Sequence, residues 1–391
     1  MRLTDRRLGP WPRLLLACSA AILAVTACGT SSSGGGSSSS SSGISADTLA
    51  QVKTLYTQES GPSQWPNPGP AFDSSKAKGK KVWWISNLGS NSFTKLIYDP
   101  FKEAMTAAGA QVTFFDGQGQ ASEEIRGMQQ AVAAKADLIV DQDYPVAQTQ
   151  AGFDAAKSAG IPVLEWANND AGKGPSPNGG VAEVTYCYSC AGKLMAHAAI
   201  VQSSGKVNAV FINSSDVEPA GVVLQGLKGE FQKYCPNTCT VDVKDVVIAD
   251  WSTKLAVTAS TAVANQKVNW LMPAFDPETA FTNPALIQAG AASRVKVASY
   301  NATKGNVDRL KQPGDPLAAD VGSPLGWSGY AIADNALRII AGVTPVKDEK
   351  IPLRTFDRTN IGTVDLNASD ATWYGPTDYK VEYKKLWGIT G

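Results

Sequence analysis

Residues 79–120 read GKKVWWISNLGSNSFTKLIYDPFKEAMTAAGAQVTFFDGQGQ, and the fold follows from how this stretch is parsed. Lys81 to Ser86 (KVWWIS) is a short run of Val, Trp and Ile, the composition of a strand buried on both faces. After the polar turn, Phe93, Leu96, Ile97, Phe101, Met105 and Ala108 recur at helical spacing, which predicts an amphipathic helix over Ser92 to Ala108. VTFF then reads as a second strand. A strand, a crossover helix and a strand form a βαβ unit, whose two strands run parallel.

The alternation continues outward. ASEEIRGMQQAVAA, ADLIVD, VAQTQAGFDAAKSAG, IPVLEW and VAEVTY complete a first series. A second begins with a helix near Ala191 to Gln202. It runs on through KVNAVFI, a helix from Pro219 to Tyr234, VDVKDVVIA, a helix near Thr253 to Gln266, NWLMPAF, a helix near Thr279 to Ala289, and VKVASY. Two such series in tandem predict an α/β protein of two doubly wound parallel-sheet lobes, and the span from 79 to 391 suits two cores of about 150 residues.

Upstream, Arg2, Arg6, Arg7 and Arg13 precede the apolar run LLLACSAAILAV, which is too short to span a bilayer and has the layout of a signal peptide. Arg6-Arg7 fits twin-arginine export poorly. The run ends in Val25-Thr26-Ala27-Cys28, which resembles a lipobox, so residues 1–27 are expected to be removed and Cys28 to carry lipid; an ordinary secretory signal is the lesser reading. The Ser/Gly tract that follows suits a flexible tether, and the Pro-rich segment up to residue 78 an extended lead-in.

Lys plus Arg and Asp plus Glu both number 35, so no basic field exists to hold nucleic acid. Export leaves Cys187, Cys190, Cys235 and Cys239 in an oxidising compartment, where two disulfides are expected. Their spacing also suits a four-thiolate zinc site, which export makes the lesser reading, and neither a metal nor a cofactor is expected. Sequence leaves the connectivity undetermined; Pro236-Asn237 makes a natural turn that favours pairing Cys235 with Cys239, and Cys187 with Cys190. The single histidine, His197, falls on the apolar stretch KLMAHAAI and reads as a helix-packing residue. No GxSxG, HExxH or P-loop occurs, so catalysis is not expected, although Glu165 with Asp320 would supply the two carboxylates of a glycosidase.

In open α/β sheets ligands bind beyond the carboxyl ends of the strands. Those ends read SNLGSNSF, DQDYP, EWANND, NSSD, ADWS, AFDP and SYN, with ADVGSP at a return to the first lobe. Amides, carboxylates and aromatic rings at such tips suit a hydroxyl-bearing or flat ligand, and make Asp143, Tyr144, Glu165 and Trp166 candidates. Singly, each also serves as a turn or cap residue.

From about Gly79 to the mid-340s, through the opening stretch, AGIPVLEW and GYAIADNALRIIAG, the chain resembles the sugar-binding class of type I periplasmic binding proteins, the ribose-binding and LacI-regulator-like group. The resemblance implies two lobes joined by a multi-strand hinge, crossing near Tyr186 to Cys190, near Asp320 to Pro324 and around 350. The first lobe would comprise 79–186 with 322–350, and the second 187–321 with part of 351–391. It implies an exported, lipid-anchored monomer on the outer face of the cytoplasmic membrane that closes on a small cyclic ligand and docks on an ABC-importer permease. The ligand is expected to be a sugar or sugar-like compound; the alternatives are a sensor presenting its closed form to a membrane receptor, or a binder of a non-sugar aromatic or cyclic solute, and a DNA-binding regulator is excluded by the signal.

The family's ligand loop falls on Asn91 and Phe93, and its aromatic wall on Trp251. Elsewhere the pattern departs. Where ribose binders place an Asp-Arg pair this chain has Ala167-Asn168, and where they place a second-lobe Arg it has Gln225. Their Asn before an Asp becomes Phe275 before Asp276, and a second-lobe Asp becomes Asn301. Charges of both signs have given way to amides and rings, which avoids an unpaired buried charge and favours a less polar cyclic ligand, with Glu165 and Asp320 as remaining carboxylates.

Overall fold

The computed structural model describes residues 43–389; the signal sequence, Cys28 and the Ser/Gly tract lie outside the described residues. The first series forms β1 (Lys81–Ser86), α2 (Ser92–Ala107), β2 (Gln111–Asp116), α3 (Ala121–Ala133), β3 (Leu138–Gln142), α4 (Val146–Ser158), β4 (Val163–Trp166) and β5 (Ala182–Val184), after an N-terminal helix α1 (Ala46–Glu59). Its strands pair in parallel in the order β2-β1-β3-β4-β5.

The second series forms α5 (Tyr188–Gln202), β6 (Val207–Asn213), α6 (Glu218–Tyr234), β7 (Cys239–Asp245), α7 (Trp251–Ala264), β8 (Trp270–Pro273), α8 (Asp276–Gln288), β9 (Lys296–Asn301), the short α9 (Lys304–Val307) and β10 (Leu317–Gly322). Then come α10 (Leu325–Ala341), β11 (Arg354–Asp357) and α11 (Tyr379–Leu386). The second sheet runs β11-β10-β9-β8-β6-β7, parallel except for β11. This is the doubly wound, two-sheet α/β architecture that the alternation of strands and helices predicts.

Each sheet is buried where its composition demands it: β3 and β10 are covered along their whole length. The edge strand β2 has no fully buried residue, and Phe114 on it is exposed. The chain passes repeatedly between the two layers. It leaves β5 to enter α5, which packs on β9 and β10, and it leaves β10 to enter α10, which packs on α2 of the first layer. It then returns to pair β11 with β10, and crosses again so that α11 packs on α10.

The lead-in differs from the extended segment expected. Residues 46–59 are helical because Ser45 Oγ caps the Thr48 amide and the helix finds a dock on α5. Val52 is fully buried there, and Tyr56 donates a 2.5 Å hydrogen bond to Asp357 Oδ2. His197 on α5 completes the dock, with Nδ1 2.9 Å from Glu59 Oε2 and Nε2 2.9 Å from Glu230 Oε2. Burial works against its charged form, but the two carboxylates outweigh that and raise its pKa. The four cysteines form Cys187–Cys190 and Cys235–Cys239, so their thiols are not zinc ligands.

Candidate functional site

The carboxyl ends of β1 and β3 face those of β7, β8 and β9 across a narrow cavity of about 30 Å³. Asn87, Leu88, Asn91, Phe93, Thr94, Gln142 and Asp143 line it from the first layer. Val217, Pro219, Ile248, Trp251, Phe275, Pro277 and Asn301 line it from the second, with Tyr188 at the crossing into α5. The floor is a polar relay: Trp84 Nε1 donates to Gln142 Oε1 at 3.0 Å, and Gln142 Nε2 donates to Thr94 Oγ1 at 3.1 Å and Asp143 Oδ2 at 3.0 Å. Gln142 thereby spends its whole amide on orienting its neighbours. Asp143 sits at φ 61° and Asn301 at φ 134°, left-handed backbone that Asp and Asn tolerate better than most residues. Burial pushes the Asp143 carboxyl up to about 7.

A periplasmic binding protein domain model matches residues 82–344. The chain belongs to that family. Three solved structures have similar folds. The 5-methylthioribose transporter solute binding protein of Thermotoga lettingae, in complex with 5-methylthioribose, is 16% identical with a TM-score of 0.68, over 84% of this chain and 100% of that one. A sugar ABC transporter of Yersinia enterocolitica is 15% identical with a TM-score of 0.68, over 82% and 98%. A carbohydrate transporter of Acidothermus cellulolyticus, in complex with myo-inositol, is 16% identical with a TM-score of 0.63, over 75% and 99%. At such identities the likeness is one of fold. No curated protein matches the sequence.

In this periplasmic binding protein the expected residues divide. Asn91, Phe93, Asp143, Trp251, Phe275 and Asn301 come together on the cavity. Asn91 also caps α2, its Oδ1 accepting from Phe93 N. The Trp251 N–H is spent on Ser214 Oγ at 2.9 Å and Val246 O at 3.2 Å, which fixes the ring. Replacing Trp251 with Ala should weaken binding of the protein's solute by at least ~1 kcal/mol, measured calorimetrically. An unchanged affinity with the fold intact would remove the ring from the site.

The other candidates do not line the cavity. Glu165 is fully buried and committed to the loop after β4: its carboxylate accepts from Ser176 N, Ser176 Oγ, Gly180 N and Asn168 Nδ2. Asn168 is thereby a partner of Glu165, and Trp166 is buried against the Tyr186 ring at 5.1 Å. Tyr144 is buried with its hydroxyl 3.4 Å from Gly119 O. Gln225 is exposed, because Val223, Gly226 and Leu227 turn the inner face of α6 to the core. Asp276 and Asp320 lie beneath the cavity in a closed network: Asn306 Nδ2 donates to both, at 2.9 and 2.7 Å, Ser299 Oγ to Asp276, and Ala302 N to Asp320. Burial, and for Asp320 the Asp276 carboxyl beside it, raises both pKa values. Glu165 and Asp320, the carboxylates a glycosidase would need, are thus both spent inside the fold.

Asn87, Thr94, Gln142 and Tyr188 line the cavity without having been candidates. The signal was present: Asn87 directly follows β1, Gln142 adjoins Asp143, and Tyr188 stands within CYSC at an expected crossing. Among the described residues no helix is long and apolar enough to cross a membrane.

Proposed function

We propose that this chain is the extracytoplasmic solute-binding component of an ABC importer, closing two lobes on a small cyclic, hydroxyl-bearing solute. The observation that carries the reading is the cavity itself, with amides, a carboxylate and four aromatic rings drawn from both layers at the strand ends. The structurally similar proteins solved with 5-methylthioribose and myo-inositol support a ring-sized solute. The lobes are residues 79–186 with 322–350, and 187–321 with part of 351–391, the crossings between them acting as the hinge. A cavity of about 30 Å³ holds only about two waters, so a ring enters after the lobes part.

The test is a thermal-shift screen over sugars, polyols, nucleosides and aromatic small molecules, followed by solution scattering with each hit. A solute at 100 times its Kd adds about 2.7 kcal/mol. The radius of gyration should fall when it binds, since a ligand shifts the lobes only by preferring one state. A confirmed ligand that leaves the radius unchanged would refute closure.

The reading extends to the chain's first residues, with export directed by residues 1–27, lipid on Cys28 and the tether leaving a monomer free above the membrane. The order of basic, apolar and lipobox segments supports it. In detergent phase separation the parent should enter the detergent phase and Cys28→Ala the aqueous one; identical partitioning would refute the anchor.

A further inference from the structure

The solute-binding reading, on which this inference rests, leaves the ligand's charge unspecified. None of the residues lining the cavity is Lys, Arg or His, and Asp143 is the one ionisable carboxyl among them. Behind the first wall lie Glu124 on α3 and Asp141 on β3, and behind the second Asp276 and Glu278 on α8 with Asp320 on β10, all buried. The charged groups acting on these five are further carboxyls. Burial raises the pKa of all five, so they favour their neutral forms, and what the site offers a ligand is the Asp143 carboxyl with acceptors left over. Asn87 lines the cavity, and its Oδ1 is buried with no hydrogen-bond donor among the described residues, while its Nδ2 donates to the Asp143 carbonyl at 3.1 Å. Asp143 Oδ2 is held by Gln142, and its Oδ1 accepts from none of the described residues. Facing these acceptors are the rings of Phe93, Tyr188, Trp251 and Phe275.

Unfilled acceptors, the Asp143 carboxyl, aromatic faces and a lining without a cation together select a positively charged donor. We propose that the solute carries a protonated amine on its ring, received by Asp143 and Asn87 Oδ1 and flanked by the aromatic wall: an amino sugar, an aminocyclitol or a related cyclic amine. An anionic sugar would find no Lys, Arg or His on the lining to receive it.

Ionisation of Asp143 gives the proposal a pH signature. Burial holds its carboxyl near 7. The groups facing it are Glu124 from α3, Asp141 from β3, Tyr186 and Tyr188 at the crossing, and Tyr300 from β9. The tyrosines are pushed above their ordinary value by burial, so they stay neutral in this range. A cationic ligand prefers the ionised carboxylate, and its affinity should rise about ten-fold from pH 6 to pH 8.

The experiment is isothermal titration of the full chain with matched pairs: myo-inositol against the cyclitol with one hydroxyl replaced by an amine, and cyclohexane-1,4-diol against 4-aminocyclohexanol. At least one amine should bind ten-fold or more tightly than its hydroxyl twin, gain affinity from pH 6 to pH 8, and lose both properties in Asp143→Asn. Asn suits the left-handed backbone there, and an unchanged melting temperature verifies the fold. Hydroxyl twins that bind as well as the amines, an affinity that is flat or falls with pH, or amines that do not bind would each overturn the proposal. If a neutral solute from the wider screen binds and closes the lobes while the amines fail, the charge assignment is wrong and the solute-binding reading stands. If no solute in either set binds, both are wrong.

Discussion

Arg338→Ala is expected to lower stability by about 3–5 kcal/mol, the cost of stranding a buried carboxylate without its partner. Arg338 is 1% exposed in the last turn of α10. Its Nε donates to Asp334 Oδ2 at 2.6 Å, its Nη2 to the Pro70 carbonyl at 3.0 Å, and its guanidinium lies 4.5 Å from the Phe72 ring centroid. Asp334 also accepts from Trp387 Nε1 at 2.7 Å, and nearby Glu349 accepts from Asn335 Nδ2 and the Tyr383 hydroxyl. Burial raises both carboxyl pKa values, and Arg338 is the cation that acts on both.

One side chain thus ties the lead-in, α10 and the C-terminal segment around α11 together. Lys at 338 keeps the charge but loses the planar fork, so R338K should fall between parent and Ala. Urea denaturation gives the comparison directly, and a loss below about 1 kcal/mol for R338A would mean that the network relaxes around the gap.

This network also marks where sequence reasoning runs out. The βα alternation was legible because its periods are local: the apolar positions of β1 and α2 lie within one stretch of chain. What docks α1 is not local. Of its residues only Val52 is fully covered, and its holding contacts are to His197 and Asp357, far along the chain. A Pro-rich composition, read as extended up to residue 78, was wrong for the helix Ala46–Glu59 and for the short turn of 3-10 helix at Ser75–Ala77.

The site shows the same division. Strand tips located the cavity, and Asp143, Trp251 and Asn301 stand on it because a parallel sheet sends successive carboxyl ends to one side. A carboxylate at a tip looks the same in sequence whether it meets a ligand or a loop. Glu165 is separated from Asp143 only by the path of residues 167–181, which wraps it with Ser176 and Gly180 donors and has no periodicity to betray that path. Asp320 turns inward for a similar reason, since its partner Asn306 comes from α9, a helix of 4 residues too short to signal itself.

Glycines carry the least visible constraint of all, and Gly192→Ala is expected to destabilise the protein by about 2–3 kcal/mol or more. Gly192 lies in α5 where that helix crosses α6. A Cβ there would collide with the Val223 carbonyl oxygen and stand 2.8 Å from Leu227 N, while one on Gly226 of α6 would collide with the Ser189 carbonyl oxygen. Each glycine is a close approach of one backbone to the other, so the clash is with main chain that cannot rotate away. Only separating the helices relieves it, and they bury Ala191, Met195, Val223 and Leu227 between them and the sheet.

Gly229, three residues on in α6, has nothing within 4 Å of its would-be Cβ. There Ala only relieves the entropic cost of a helical glycine, and G229A should raise stability by roughly 0.5–1 kcal/mol. Opposite signs for the same substitution on the same helix pair, read in one set of denaturation curves, separate interhelical contact from helix propensity. If G192A and G229A shift stability in the same direction, the close crossing of α5 and α6 is not what holds these two helices in register.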